Sequence, residues 1–176
     1  MKTLSMFLVL SFLAILTGCS ESRIEYDYDT EADFTNLNSF DWLTSPEEVR
    51  ENELVAKRVR NAVNRNLTAK GFRKVSESPD LLIALYIGRQ LKRDYLDSGY
   101  SYPEHTAYQP RDPIRAYEYE EGTLTLDFVN FRTKELVFRG TARAVINPAT
   151  TPQERKKKID EAVSKILEKF PSKIAD

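Results

Sequence analysis

The clearest pattern of hydrophobic and polar positions lies in residues 123–146. Large apolar residues alternate with threonine and aspartate up to Phe128, a polar turn follows at 130–134, and a second alternating run comes after it. Alternation predicts an antiparallel hairpin with one buried face. On its second strand we predict these residues to be buried: Leu136, Phe138, Gly140, Ala142, Ala144 and Ile146. The opposite face, which we predict to be solvent-exposed, carries Glu135, Val137, Arg139, Thr141 and Arg143. The small residues of the buried face predict a closely packed helix.

Two segments have helical periodicity. The first has an apolar stripe formed by Leu54, Val55, Val59, Ala62, Val63 and Leu67. A start signal stands at residues 45–48 and Gly71 is its end signal. The second begins with a capping box, Thr151 to Glu154, with proline at the first helical position, and runs to Phe170.

Four further segments are predicted strands: residues 24–28, 39–43, 72–75 and 81–87. The last is the most apolar run after residue 19, so we place it in the centre of the sheet. Trp42, the single tryptophan, is interpreted as a core anchor. The predicted fold class is α+β, with a mainly antiparallel (mixed) β-sheet and two amphipathic helices packed on one face.

The segment 94–115 follows no periodic pattern. It is rich in tyrosine and proline and holds the single histidine. A loop of this length in a small domain either has a function or is a mobile insertion, and the sequence leaves both open. The candidate contacts to a partner or ligand are Tyr95, Tyr100, Tyr102, His105 and Tyr108.

The N-terminal residues predict where in the cell the protein is located. A positive end and an apolar run are followed by Leu16-Thr17-Gly18-Cys19, which resembles the lipobox of bacterial lipoproteins. We therefore predict a signal peptide at 1–18, a lipidated Cys19 with a short tether at 19–23, and a single domain at 24–176. In enteric lipoproteins an aspartate after the cysteine favours the inner membrane. Ser20 stands there, so the resemblance implies a lipid anchor in the outer membrane, with the domain in the periplasm and the membrane as its first partner.

The charge balance and the small number of reactive residues limit the functions that the sequence supports. With 26 basic and 27 acidic side chains the chain lacks the basic excess of a nucleic-acid-binding protein. One cysteine and one histidine leave no triad and no metal-ligand cluster, so we expect no enzyme, metal or cofactor. Glu118, Glu120 and Glu121 could pair with Asp94 or Asp97 as acid and base, but a solvated acidic edge is the preferred interpretation.

Four consecutive bases, residues 155–158, stand in the first turns of the second helix. Cations there oppose the helix dipole. They form either a solvated face or a basic edge that contacts anionic headgroups or lipopolysaccharide.

Taken together, the region after the signal resembles a family of bacterial lipoproteins, the domain of unknown function DUF4136. The matching motifs are Tyr28-Asp29, Asp33-Phe34, Ser39-Phe40-Asp41-Trp42-Leu43, Leu67-Thr68-Ala69-Lys70-Gly71-Phe72, Ser78-Pro79-Asp80-Leu81-Leu82-Ile83-Ala84, Gly122-Thr123-Leu124 with Asp127, Leu136-Val137-Phe138-Arg139-Gly140-Thr141-Ala142, and Ile166-Leu167 with Phe170-Pro171. The chain departs from the family pattern at Asn130, Lys134 and Phe138. The resemblance implies an α+β domain on a lipid anchor and brings no catalytic residues.

These observations favour a non-enzymatic envelope protein that binds or scaffolds another envelope component, protein or lipid. The alternative is a carrier of a small or lipidic ligand in a pocket between the sheet and the 95–113 loop. A cell-wall or lipid hydrolase is the less favoured third hypothesis, because no catalytic set is present.

Overall fold

The computed structural model describes residues 22–43, 52–96 and 115–171. Six strands form one sheet: β1 (Arg23–Tyr28), β2 (Ser39–Trp42), β3 (Arg73–Lys74), β4 (Leu81–Leu96), β5 (Arg115–Asn130) and β6 (Leu136–Val145). The helices are α1 (Glu53–Ala69) and α2 (Pro152–Glu168). The strand order is β1-β6-β5-β4-β2-β3, antiparallel from β1 to β4 and parallel from β4 to β3. The predicted α+β fold with a mixed sheet is confirmed.

The core lies between one face of the sheet and the two helices. Phe128 of β5 and Phe138 of β6 are paired in register on that face, and both are buried. Phe170, just after α2, packs on both rings, with centroids 4.6 and 5.1 Å away. Because Gly140 has no side chain, α2 approaches β6 closely: a Cβ added there would lie 2.2 Å from Ile166 Cγ2. The prediction of close helix packing at Gly140 is therefore confirmed.

Two predicted core positions are wrong. Leu136 is exposed and Val137 is buried, because a register shift after Phe128 adds an extra residue to β6 and reverses the alternation at its start. Leu54 is exposed as well. It stands in the first turn of α1, and Ala56 is buried there instead.

The predicted loop 94–115 is shorter than expected. β4 continues to Leu96 and β5 begins at Arg115, so both ends of the predicted loop belong to strands that pair with each other. The remainder, 97–114, lies outside the described residues, as does the helix start signal at 45–48.

The turn between β5 and β6 closes regularly despite its departures from the family pattern. Asn130 Oδ1 accepts hydrogen bonds from the amides of Arg132 and Thr133. Lys134 adopts a φ of 64°, the left-handed conformation for which glycine is the usual choice. At the end of α1, Gly71 has a φ of 88°, as its interpretation as an end signal requires.

The second face of the sheet carries pairs of polar side chains. Arg139 donates to both carboxylate oxygens of Asp127, with 2.6 Å between Nε and Oδ1, and this raises the pKa of Arg139. In the next row the hydroxyls of Thr125 and Thr141 lie 3.1 Å apart. The pairing satisfies polar groups on the face opposite the helices, as expected for a sheet buried on one side.

An ionic bridge joins the two helices across their outer side. Asp160 of α2 accepts from Arg65 Nη2 of α1 at 2.8 Å and from Lys156 Nζ at 2.6 Å. Partial burial alone would raise the pKa of Asp160. The hydrogen bond from Lys156 and the charge of Arg65 outweigh it, so the pKa lies below its ordinary value of 3.8.

We expect Asp160→Asn to lower the free energy of unfolding at neutral pH by about 0.2–1 kcal/mol, the range of solvent-accessible ion pairs. A lowered folded-state pKa gives a contribution that is complete above the ordinary pKa and is lost as the pH falls through the folded-state value. The difference between wild type and variant should therefore shrink below about pH 4. Urea denaturation at neutral and acid pH measures it. Glu168→Gln on the same helix is the control; a constant Asp160→Asn difference at all pH values would contradict the expectation.

Candidate functional site

Most of the predicted site residues lie outside the described residues. They are Cys19, Tyr100, Tyr102, His105 and Tyr108. Tyr95 is described by its backbone, which pairs with Ala116 within the β4–β5 ladder. The role of these residues as contacts to a partner or ligand therefore stays a prediction.

A cavity of about 340 Å³ lies between the sheet and the first turns of both helices. The wall residues come from five elements: Val55 and Val59 of α1, Ile87 of β4, Leu124 of β5, Ala142 and Ala144 of β6, and Ile159 and Ala162 of α2. The volume and the largely apolar walls are those of a small-ligand site.

The size of side chains along the hairpin explains why the cavity exists. At one end of the hairpin, Phe128 and Phe138 face each other and fill the space below the helices. At the other end the paired positions are Leu124 with Ala142 and Gly122 with Ala144, which fill less. The layer between sheet and helices is thus closed at one end and open at the other.

The rim of the cavity combines basic and acidic side chains. Arg89 lies 3.6 Å from Glu120 across the β4–β5 ladder and donates to Asn52 Oδ1 at 3.4 Å. From α2, Arg155, Lys158 and Glu161 also border the cavity. Within the described residues no carboxylate lies within 4.0 Å of either of these two cations. The α2 side of the rim therefore offers two positive charges that no described carboxylate contacts.

The N-terminal end of the described chain also reaches this site. Ser22 lines the cavity, and Arg23 begins β1 in register with Arg143 of β6. Residue 19 is three positions earlier in the sequence. The predicted lipidation site and the cavity are thus close along the chain.

Residues 24–172 match the domain of unknown function DUF4136. The chain belongs to the DUF4136 family. No curated protein matches the sequence. The resemblance inferred from the motifs is thereby confirmed at the level of the family.

Solved structures are similar to this DUF4136 domain. A PDZ domain protein from Parabacteroides distasonis ATCC 8503 is 16% identical with a TM-score of 0.59, over 85% of this chain and 35% of that one, so the chain spans about a third of its length. The PelC dodecamer from Paraburkholderia phytofirmans is 7% identical with a TM-score of 0.45, over 84% and 95%. A neuraminyllactose-binding hemagglutinin homologue from Helicobacter pylori is 14% identical with a TM-score of 0.39, over 81% and 86%. At 16% identity the first likeness concerns the fold alone.

The carboxylates that the sequence offered as acid–base candidates face cations in the DUF4136 domain. Glu118 pairs with Arg93, Glu120 with Arg89, and Glu121 with Lys92 at 3.7 Å. Asp97 lies outside the described residues. In the described segments no three metal-binding side chains cluster. Each of the three glutamates thus has a basic partner across the β4–β5 ladder.

Tyr119 stands among these charges, between Glu118 and Glu120 in the sequence. Its pKa is raised, first by partial burial and then by the hydrogen bond to Asp94. Its ring stacks on Tyr117 with centroids 5.5 Å apart. A tyrosine with a raised pKa stays protonated at neutral pH, so it serves here as a hydrogen-bond donor.

Sequence reasoning missed the cavity although it noticed the residues that create it. Gly140, Ala142 and Ala144 were all interpreted as room for a closely packed helix, and at Gly140 an added Cβ would overlap Ile166 of α2. The two alanines border the cavity instead. Small residues on a predicted buried face were the available signal. Among the described helices, none has the length and apolar character of a membrane-spanning helix.

Proposed function

We propose that this DUF4136 protein is a lipoprotein anchored in the outer membrane through Cys19, with a periplasmic domain that binds a ligand and catalyses no reaction. The sequence Leu16-Thr17-Gly18-Cys19, followed by Ser20, supports the anchor and its membrane. The start of β1 at Arg23 keeps the domain near the anchor. Its function would therefore be carried out against the membrane surface.

The cavity is the observation that carries the binding role. Concave sites with apolar walls and a few polar groups at the rim are typical of small-ligand binding. This one has apolar walls from both helices and the sheet, and a rim that includes Arg89, Arg155 and Lys158. It favours the carrier hypothesis over the scaffold. Its described walls belong to the helices and the sheet, whereas the sequence placed a pocket between the sheet and the 95–113 loop.

The anchor is tested in cells by metabolic labelling with a clickable palmitate analogue, followed by membrane fractionation. We expect the wild-type protein to incorporate the label and to sediment with outer membranes. Cys19→Ser should abolish labelling, because it removes the single thiol of the chain. Labelling of Cys19→Ser at the wild-type level would contradict the anchor.

The cavity is tested with the full lipidated protein in phosphatidylcholine nanodiscs. The probe is a monoacylglycerol, a neutral single-chain lipid, with a diazirine near the end of its chain. We expect crosslinks in the peptides that carry Val59, Leu124 and Ile159, because apolar walls favour an alkyl chain. Ala144→Leu should reduce these crosslinks to near background by filling the cavity.

Ala116→Leu is the matched control. Ala116 is an exposed residue of β5 that does not line the cavity, so the same alanine-to-leucine substitution can be made there. It should crosslink like the wild type. Crosslinks that are absent in the wild type, or unchanged in Ala144→Leu, would contradict a binding role of the cavity.

A further inference from the structure

The four bases at the start of α2 divide into two kinds. Lys156 pairs with Asp160 at 2.6 Å, and Lys157 lies 3.8 Å from Glu161. Arg155 and Lys158, the two that border the cavity, have no carboxylate within 4.0 Å among the described residues; Arg155 donates only to the Thr150 carbonyl, at 3.4 Å. The cations without an ion-pair contact are thus those at the opening.

Glu154, the acid directly before Arg155 in the sequence, is engaged elsewhere. It accepts from the amide and hydroxyl of Thr151 at 2.8 Å each in the capping box. These bonds lower the pKa of Glu154 first, and the charge of Lys158 adds the smallest contribution. Arg155 and Lys158 stand in the first two turns of α2, where the helix dipole disfavours positive charge. An anion bound between them would relieve this repulsion.

The same end of the domain exposes large apolar side chains. Leu54 precedes the cavity residue Val55, Leu91 is paired with the rim residue Glu120, and Val145 itself lines the cavity. The exposed fractions of Leu54 and Leu91 are both 67%. Apolar side chains beside cations are typical of surfaces that sit at the boundary of headgroups and acyl chains.

The position of the cavity near the predicted anchor indicates that its ligand comes from the membrane. Ser22 lines the cavity, and the three residue steps from Cys19 to Ser22 span at most about 11 Å. With Cys19 held in the bilayer, Ser22 and the part of the cavity that it lines lie within about 11 Å of the anchor. At about 340 Å³ the cavity holds roughly eleven water-sized groups, which suits one alkyl chain and not two.

We propose that the cavity takes one acyl chain of an anionic phospholipid from the membrane that anchors the protein, with the lipid phosphate bound between Arg155 and Lys158. This inference rests on the proposed function and adds the ligand class and the headgroup contacts. The second acyl chain stays outside the cavity, beside Leu54 and Leu91. The protein thereby binds a lipid partly lifted out of its bilayer.

The test uses the full lipidated protein in phosphatidylcholine nanodiscs with two photoreactive phospholipids that share one diazirine-bearing acyl chain. One is phosphatidylglycerol and the other phosphatidylcholine. Two lysine or arginine contacts to an anionic lipid correspond to a preference of about ten- to thirtyfold. We expect the half-saturating mole fraction of phosphatidylglycerol to be lower by that factor, with crosslinks on the cavity walls.

Two double variants with the same change in charge distinguish binding at the proposed site from general electrostatic attraction to anionic lipids. Arg155→Gln with Lys158→Gln should abolish the preference for phosphatidylglycerol. Lys156→Gln with Lys157→Gln should retain it, because those lysines pair with acids and lie off the cavity. An equal loss in both double variants would overturn the headgroup site.

The neutral monoacylglycerol probe distinguishes a failure of the anionic-lipid inference from a failure of the proposed binding function. If it labels the cavity walls while the two phospholipids label equally, the anionic-lipid inference fails and the binding module stands. If no probe labels the walls, both the anionic-lipid inference and the proposed binding function fail. Labelling by phosphatidylglycerol that includes none of the cavity-wall peptides would also overturn the inference.

Discussion

Replacing Phe170 with alanine is expected to lower the free energy of unfolding by about 3–5 kcal/mol, the range for a fully buried aromatic side chain. Phe170 is 1% exposed and follows the last turn of α2. Its ring lies within 6 Å of four others, those of Phe34, Phe72, Phe128 and Phe138. The substitution would therefore leave a void where β5, β6, the end of α1 and the end of α2 meet.

Urea denaturation measures this loss, with the fluorescence of Trp42 as the signal. Trp42 is the single tryptophan, and its indole donates to Asn64 of α1 at 3.0 Å, so it reports the packing of α1 on β2. Phe131→Ala is the control: that ring lies in the β5–β6 turn, 3.8 Å from Lys134 Nζ, and its loss should cost about 1 kcal/mol or less. Equal losses in both variants would show that Phe170 does not close the core.

Gly140→Ala is expected to destabilise the fold by about 1–3 kcal/mol or more, although it adds a single methyl group. The new Cβ would lie 2.2 Å from Ile166 Cγ2 and 3.1 Å from Phe138 Cε1. Ile166 is fully buried, and its Cγ2 is attached directly to Cβ, so no rotation of a flexible end can relieve the overlap. Either α2 moves away from β6 or both side chains leave their rotamers.

A matched control and a rescue make this second prediction specific. Gly88→Ala is the control, because a Cβ there meets only Thr123 Cβ at 4.0 Å. Ile166→Leu removes the offending Cγ2, so in the double variant it should restore part of the loss, with a coupling energy of about 0.5–3 kcal/mol. Additive effects of Gly140→Ala and Ile166→Leu would contradict a direct overlap of these side chains.

The fold was predictable where hydrophobic alternation and helical periodicity agree with the packing. Leu126 does pair with Gly140 and Phe128 with Phe138, as the alternation of each strand requires. Alternation could not reveal the extra residue at the start of β6, so Leu136 was assigned to the wrong face. Alternation also predicted a strand that ends at residue 87, whereas β4 continues to Leu96. The ladder beyond Arg89 is held by cross-strand charge pairs, and charged runs resemble a loop in the sequence.

The site was less predictable, because its walls belong to five elements that are spread along the sequence. Sequence shows that Gly140, Ala142 and Ala144 are small. It does not show where along the strand a helix crosses, and this decides which small residue lies in contact and which borders a void. Likewise, the run at 155–158 is visible, but which of its bases find a carboxylate depends on their angular position around α2.

The edge position of β1 has a mechanical consequence. Its six residues, from Arg23 paired with Arg143 to Tyr28 paired with Phe138, join it to β6. Hydrogen bonds of an antiparallel ladder run perpendicular to the strands. A force that pulls the chain ahead of Arg23 along the strand axis therefore loads all the rungs at once, as shear, instead of opening them one after another. The strand that would transmit tension from the lipid to the domain is thus attached in the geometry that best resists it.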